Sequence, residues 1–335
     1  MHSLGFFLGL AIVATGVIWK GSELLEGSAE RLSKHYGLPV AVHGAIVVAI
    51  GSSFPEFSSV VISTLLHGEF DLGVGAIVGS AIFNLLVIPA MSALASEELE
   101  ATRDIVHKDA QFYIISVLVL FITFALGATY VPGGTNDAAI LTPTLALLPL
   151  GTYGVYVFLQ YQDTRDHVTT DSVDVEPARE WTIMAIALVL IAVGVEGIVR
   201  AALGFGAIFD TPSFLWGLTV IAAATSLPDA FVSVRAAQSD DNVTSLTNVL
   251  GSNTFNLLVA IPCGVLIAGS ATINFLVAIP MMGFLAFATI VFIVFTRTHL
   301  ELTDLEAIAL VALYVLFLAW MALESAGVLD TVQGI

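Results

Sequence analysis

Two stretches decide how this chain folds: Gly44-Ala-Ile-Val-Val-Ala-Ile-Gly-Ser-Ser-Phe-Pro-Glu56 and Gly217-Leu-Thr-Val-Ile-Ala-Ala-Ala-Thr-Ser-Leu-Pro-Asp229, which align without a gap at an offset of 173 residues. Each is an apolar run that ends in a small hydroxyl pair, a proline and an acid. The same offset pairs Gly21 with Gly194, Glu23 with Glu196, Pro39 with Pro212 and Ser53 with Ser226. A second block, Gly79-Ser-Ala-Ile-Phe-Asn84, matches Gly251-Ser-Asn-Thr-Phe-Asn256 at an offset of 172, one residue having been lost between the blocks. Agreement at so many unusual residues marks an internal duplication.

The rest of the chain says what solvent the duplicated unit meets. Of 335 residues, 57% are hydrophobic and 11% charged, against roughly a quarter charged in a soluble domain. A bilayer core needs about 20 apolar residues per helix, and runs of that kind fall near residues 4–30, 40–66, 72–94, 107–127, 138–160, 181–203, 214–237, 243–268, 275–296 and 303–325. The first run has no basic region before it and no clear cleavage site, so it reads as a spanning helix and not as a signal peptide. Ten spans divide into five per half. Because five is odd, the second copy enters the membrane from the opposite side. The expectation is an all-α polytopic membrane protein whose ten transmembrane helices form two inverted five-helix repeats. Residues 1–160 make the first repeat, 161–180 an acidic linker and 181–335 the second.

Alternating the loops puts Arg31, Lys34, Arg103, Lys108, Arg165, Arg179, Arg235 and Arg297 on one side, with Arg200 and Lys20 on the other. Basic loops stay in the cytoplasm. A multi-pass cell-membrane protein with both termini outside and the linker cytoplasmic is expected. The net charge of -18 argues against nucleic acid as a partner. The single cysteine, Cys263, excludes an intrachain disulfide.

Glu56 and Asp229 each fall near the middle of an apolar run, where an unpartnered carboxylate costs about 2.5 kcal/mol or more. No lysine or arginine lies at that depth in either block. A metal cation or a proton is the partner left. Pro55 and Pro228 remove helical hydrogen bonds and free the carbonyls of Gly51 and Ala224. Ser52 and Ser53 share a helical face with Glu56, as Thr225 and Ser226 do with Asp229. On the following helices Ser80 and Asn84, and likewise Ser252 and Asn256, are four apart and present further oxygens. An oxygen cage without thiols or imidazoles suits calcium and sodium, not zinc or copper.

At these residues the sequence resembles the sodium/calcium exchanger family of the calcium/cation antiporter superfamily, whose two repeats carry Gly-Thr-Ser-Leu-Pro-Glu-like and Gly-Ser-Asn-x-Phe-Asn-like blocks. The resemblance covers nearly the whole chain. It implies an ion site built from Ser52, Ser53, Glu56, Thr225, Ser226 and Asp229, with Ser80, Asn84, Ser252 and Asn256 and backbone oxygens near Ala49 and Ala222. It further implies that Ca2+ and Na+ compete for overlapping positions while the first and sixth helices slide to switch access. Two departures concern packing: Gly-Ser-Ser-Phe stands for Gly-Thr-Ser-Leu, and Ala224 stands where glycine is usual. A third concerns chemistry. Asn256 stands where potassium-dependent relatives carry aspartate, so exchange is expected not to need K+.

The expected function is thus Ca2+/Na+ antiport by alternating access, with Ca2+ and Na+ as substrates, the bilayer as solvent, a monomer as the unit and no resident cofactor. The rival on the same scaffold is a calcium/proton exchanger, because buried carboxylates also carry protons. An enzyme is not expected: a hydrolase would need Ser52, Ser53 or the acids to be catalytic, and no Gly-x-Gly-Asp block is present. A channel fits occluding halves less well than a carrier. His43, His67, His107 and His299 read as interface residues, and Glu23 and Glu196 as interface or gating acids.

Overall fold

The computed structural model describes residues 3–36, 49–96, 99–100, 108–131, 138–164, 175–239, 241–297, 300–326, 328–329 and 332. Pro39, His43 and the Gly44–Val48 part of the first motif lie outside these residues, as do Arg103, His107, Arg165 and His299.

The chain is nearly all helix. Its spans are the first, Leu4–His35; the second, Ala49–Ser52 with Phe54–His67; the third, Phe70–Ala95; the fourth, Ala110–Thr129; the fifth, Pro143–Thr164; the sixth, Pro177–Phe209; the seventh, Ser213–Gln238; the eighth, Asn242–Ala268; the ninth, Phe275–Arg297; and the tenth, Asp304–Ser325. Eight of them are long and apolar enough to cross a membrane on that ground alone. The second, interrupted at Ser53, and the fifth, richer in polar side chains, complete the ten.

The inversion is visible in how mates touch. At Gly21 an added Cβ would meet the Ile191 side chain and the Ala187 carbonyl; at Gly194 it would meet Ile18 and the Ala14 carbonyl. Those four neighbours are themselves repeat mates, 173 residues apart. The first and sixth spans therefore cross as an antiparallel pair related by a pseudo-two-fold axis, with glycine at the crossing because the backbones approach too closely for a side chain. Arg31, near the end of the first span, closes the pair with Glu180, near the start of the sixth, at 2.8 Å.

Four short strands, absent from the sequence reading, follow the same rule. Leu99–Glu100 (β1) pairs with Glu301–Leu302 (β4), and Ala138–Leu141 (β2) with Ala271–Asn274 (β3), both antiparallel. Strands β1 and β3 follow the third and eighth spans; β2 and β4 precede the fifth and tenth. The two ribbons are mates on opposite faces. β2 also corrects the fifth span, whose helix begins at Pro143 and not at 138: the extended segment bonds to its neighbour, which satisfies backbone groups at the bundle's edge.

Burial grades inward. In the third span 89% of the most apolar window is buried, against 17% in the first and 22% in the tenth. The third span is a central post, and the outer helices present apolar side chains such as Ile12, Val13 and Leu305 outward. The post fits because Gly79 lies against the Leu218 carbonyl of the seventh span.

One insertion has a structural cause. After the second block the first half reads Asn84-Leu-Leu-Val-Ile-Pro89 and the second half Asn256-Leu-Leu-Val-Ala-Ile-Pro262. The extra residue is taken up by a π turn at Asn256–Ala260, which widens the helix by one residue. In the first half the helix instead breaks at Val87.

Candidate ion site

The second, third, seventh and eighth spans bring ten of the expected side chains toward the middle of the bundle. Glu56, Asp229, Ser53, Ser80, Asn84, Thr225, Ser226 and Asn256 are fully buried, and Ser52 and Ser252 are 1% exposed.

Glu56 starts the helix Phe54–His67, whose first turn holds Pro55. The expected break at the proline is present here: Ala49–Ser52 is a separate helical turn and Ser53 leaves helical geometry. One carboxylate oxygen of Glu56, Oε1, accepts from the Ser80 and Ser226 hydroxyls, each at 3.4 Å. Those two hydroxyls also bond to each other at 2.8 Å. Ser52 and Ser252 are joined at 2.9 Å. The Ser226–Glu56, Ser80–Ser226 and Ser52–Ser252 contacts join one repeat to the other, while Ser80–Glu56 lies within the first.

Asp229 is different. The seventh span runs as α-helix from Ala222 to Gln238 with Pro228 inside it, so this proline forgoes its own backbone hydrogen bond without ending the helix. The distortion lies earlier, in a π turn at Gly217–Ile221. Both carboxylate oxygens of Asp229 are buried without a hydrogen-bond partner. The charged groups that act on it are Glu56 and Glu26. The two acids from opposite repeats are therefore close enough for their charges to act on one another, and among the described residues no basic side chain pairs with either. Further buried oxygens without partners are Glu56 Oε2, Ser53 Oγ, Asn84 Oδ1 and Asn256 Oδ1.

Two of the expected groups, the Thr225 hydroxyl and the Ala222 carbonyl, bond within their own helix. The Thr225 hydroxyl turns back to its own helix, donating to the carbonyls of Ile221 at 3.1 Å and Ala222 at 3.3 Å. That is the common behaviour of a membrane threonine, and it occupies the Ala222 oxygen as well. Ala49 opens the isolated turn Ala49–Ser52.

The structure adds two residues that the sequence reading passed over. Asn253 accepts from Asn84 Nδ2 at 3.0 Å and donates to the Ala81 carbonyl at 3.1 Å. Its mate is Ala81 itself, so it has no polar counterpart to draw notice. Glu26, on the first span, is the second; its mate is Val199. Of the other acids, Glu23 is exposed and pairs with Lys20 at 2.7 Å. Glu196 is held by His67 at 2.9 Å and by Arg200.

Inverted halves that close two facing acids and unpaired oxygens away from water define a membrane carrier for cations. The comparisons agree. The chain belongs to the sodium/calcium exchanger protein family, whose model matches residues 6–162 and 180–323. It is 26% identical over 275 residues to the inner membrane protein YrbG of Escherichia coli, covering 76% of this chain and 80% of that one. It is 23% identical to the sodium/calcium exchanger MaX1 of Methanosarcina acetivorans, covering 92% and 96%. Over 127 residues it is 39% identical to the human sodium/potassium/calcium exchanger 4, but those residues are 36% of this chain and 19% of the relative. The fold is similar to that of the sodium-calcium exchanger NCX_Mj soaked with Na+ and Ca2+, with a TM-score of 0.63 and 21% identity over 94% of this chain and 98% of that one.

Proposed function

We propose that this chain is a sodium/calcium antiporter of the cell membrane that moves Ca2+ against Na+ by alternating access through one shared midplane site, without K+. The observation that carries the reading is the pair Glu56 and Asp229: two buried acids from opposite repeats, near enough for their charges to interact, with three carboxylate oxygens unbonded. Two like charges so placed cost more than either alone. One Ca2+ or two Na+ neutralises them.

The ligands of the proposed site are Glu56 and Asp229 with Ser52, Ser53, Ser80, Ser226, Ser252, Asn84 and Asn256. Thr225 and the Ala49 and Ala222 carbonyls belong to the wall until they turn inward. An empty site resists occlusion because its charge cannot be left bare in an apolar slab; a loaded site can close and reopen on the other face. That rule enforces exchange over leak. The amide of Asn256, in place of a third acid, supports independence from K+, although four partial relatives carry potassium in their names.

We also propose that repeats 1–160 and 181–335 enter the membrane in opposite senses, with both termini outside and residues 161–180 in the cytoplasm. Terminal reporters that prove cytoplasmic would overturn that orientation.

The function is tested by radioactive Ca2+ uptake into vesicles holding wild-type protein. An outward sodium gradient without a pH gradient is expected to drive uptake, in buffers with or without K+. Uptake driven only by a proton gradient in sodium-free buffer would replace this reading with the calcium/proton one, and strict dependence on K+ would overturn the potassium assignment.

A further inference from the structure

The first span carries three lysine and arginine side chains, and each is engaged. Lys20 pairs with Glu23 at 2.7 Å, Lys34 with Glu30 at 2.6 Å, and Arg31 with Glu180. Glu26, in the midst of them, has no base. It is half-buried, and its Oε1 is buried without any partner.

The direction of that side chain is informative. Its Cγ lies 3.9 Å from where a Cβ on Gly51 would be, so it runs alongside the turn Ala49–Ser52 that leads into Ser52, Ser53 and Glu56. It is also one of the two acids whose charge acts on Asp229. Glu30 is the acid that acts on Glu26 from its own helix, and Lys34 holds Glu30. Along the first span, Glu26 sits about 7.5 Å beyond the buried crossing at Gly21, at 1.5 Å of rise per residue. The Arg31–Glu180 pair at the helix end lies a similar distance further. No cluster of three acids or histidines among the described residues is close enough to hold one metal together. Glu26 is thus next to the pair, not part of it.

We infer that Glu26 is a staging carboxylate: it receives the transported divalent cation between the Glu56–Asp229 pair and the membrane face that carries the C-terminal end of the first span. This rests on the ion-site reading above. A half-buried, unpaired carboxylate beside the turn that leads to Glu56 is a hard oxygen ligand, and its charge raises the local concentration of cations at the mouth of the site. The repeat-related position on the opposite route carries no acid. The mate of Glu26 is Val199, apolar and fully buried. The two faces of the carrier are therefore unequal, and the inequality gives a one-sided test.

The experiment measures Ca2+ transport in sealed vesicles of both orientations, with Ca2+ offered to one face at a time. Glu26→Gln is expected to raise the half-saturating Ca2+ by about fivefold on the face bearing the C-terminal end of the first span, and to leave the other face within about twofold. A shift equal on both faces, or none, overturns the inference. Glu26→Asp keeps the charge and shortens its reach, so a smaller shift on the same face is expected; it carries the test alone if the glutamine variant fails to fold. Glu56→Gln is run beside them. If that variant transports like wild type, the ion-site reading has failed; if it is dead while Glu26→Gln matches wild type on both faces, only the staging role has.

Discussion

Around Glu56 the chain breaks its helix at Ser53 and brings the Ser80 and Ser226 hydroxyls to one carboxylate oxygen, whereas around Asp229 the helix runs on through Pro228 and both oxygens stay bare. The two motifs are copies, yet their bonding is not. If the pseudo-two-fold were obeyed in detail, the Ser52–Ser252 contact would have Thr225–Ser80 as its mate. Ser80 instead bonds Ser226, Thr225 turns back on its own helix, and Ser53, the mate of Ser226, has no partner. Duplication has fixed which residues reach the midplane. Local backbone geometry decides which of them are satisfied there. Glu56 is the arm of the site already held in place by neutral donors, and Asp229 the arm left with its charge unanswered.

The largest effect that should separate the arms is on transport and stability together. Glu56→Gln and Asp229→Asn are each expected to bring Ca2+ uptake to background. In the ligand-free state Asp229→Asn should raise the thermal midpoint more than Glu56→Gln, because it removes the buried acid with the fewer hydroxyl donors. An equal rise in both variants would erase the distinction between the arms. Next comes packing at the second block. Gly79→Ala drives a methyl into the Leu218 carbonyl, while nothing lies within 4 Å of a Cβ at Gly251. The first should cost upwards of about 1–3 kcal/mol and be lost from the monodisperse fraction on size exclusion; the second should elute and transport like wild type.

A smaller effect tests the hydroxyls. Ser226→Ala removes a donor to Glu56 and is expected to raise the half-saturating Ca2+ about tenfold. Thr225→Ala, whose hydroxyl serves its own helix, should stay within about threefold. The reverse order would show that Thr225 swings inward when an ion is bound. The smallest effect concerns the cross-repeat contact Ser52–Ser252. A double-alanine cycle on thermal stability should give a coupling near 0.6 kcal/mol.

Much of this architecture can be read from the residues alone, for a physical reason. Apolar runs set the spans, because a bilayer imposes one length on every helix. The duplicated blocks expose the inversion and both acids. What escaped reading is what duplication hides. Asn253 and Glu26 occur once, their mates being Ala81 and Val199, and a search for repeated polarity passes over them. The strand Ala138–Leu141 is as apolar as the helix that follows it, so hydropathy cannot divide the two; its hydrogen bonds to Ala271–Asn274 do. Pro228 looks like a second Pro55 in sequence, but the seventh span stays helical through the proline and carries its π turn about two to three turns earlier.

The claim on which the account depends is that Glu56 and Asp229 share a cation. Equilibrium binding of radioactive Ca2+ to purified protein in sodium-free buffer measures it directly. The account predicts one high-affinity site per chain, displaced by Na+ and lost in each of Glu56→Gln and Asp229→Asn. Full-affinity binding retained by either variant would contradict it.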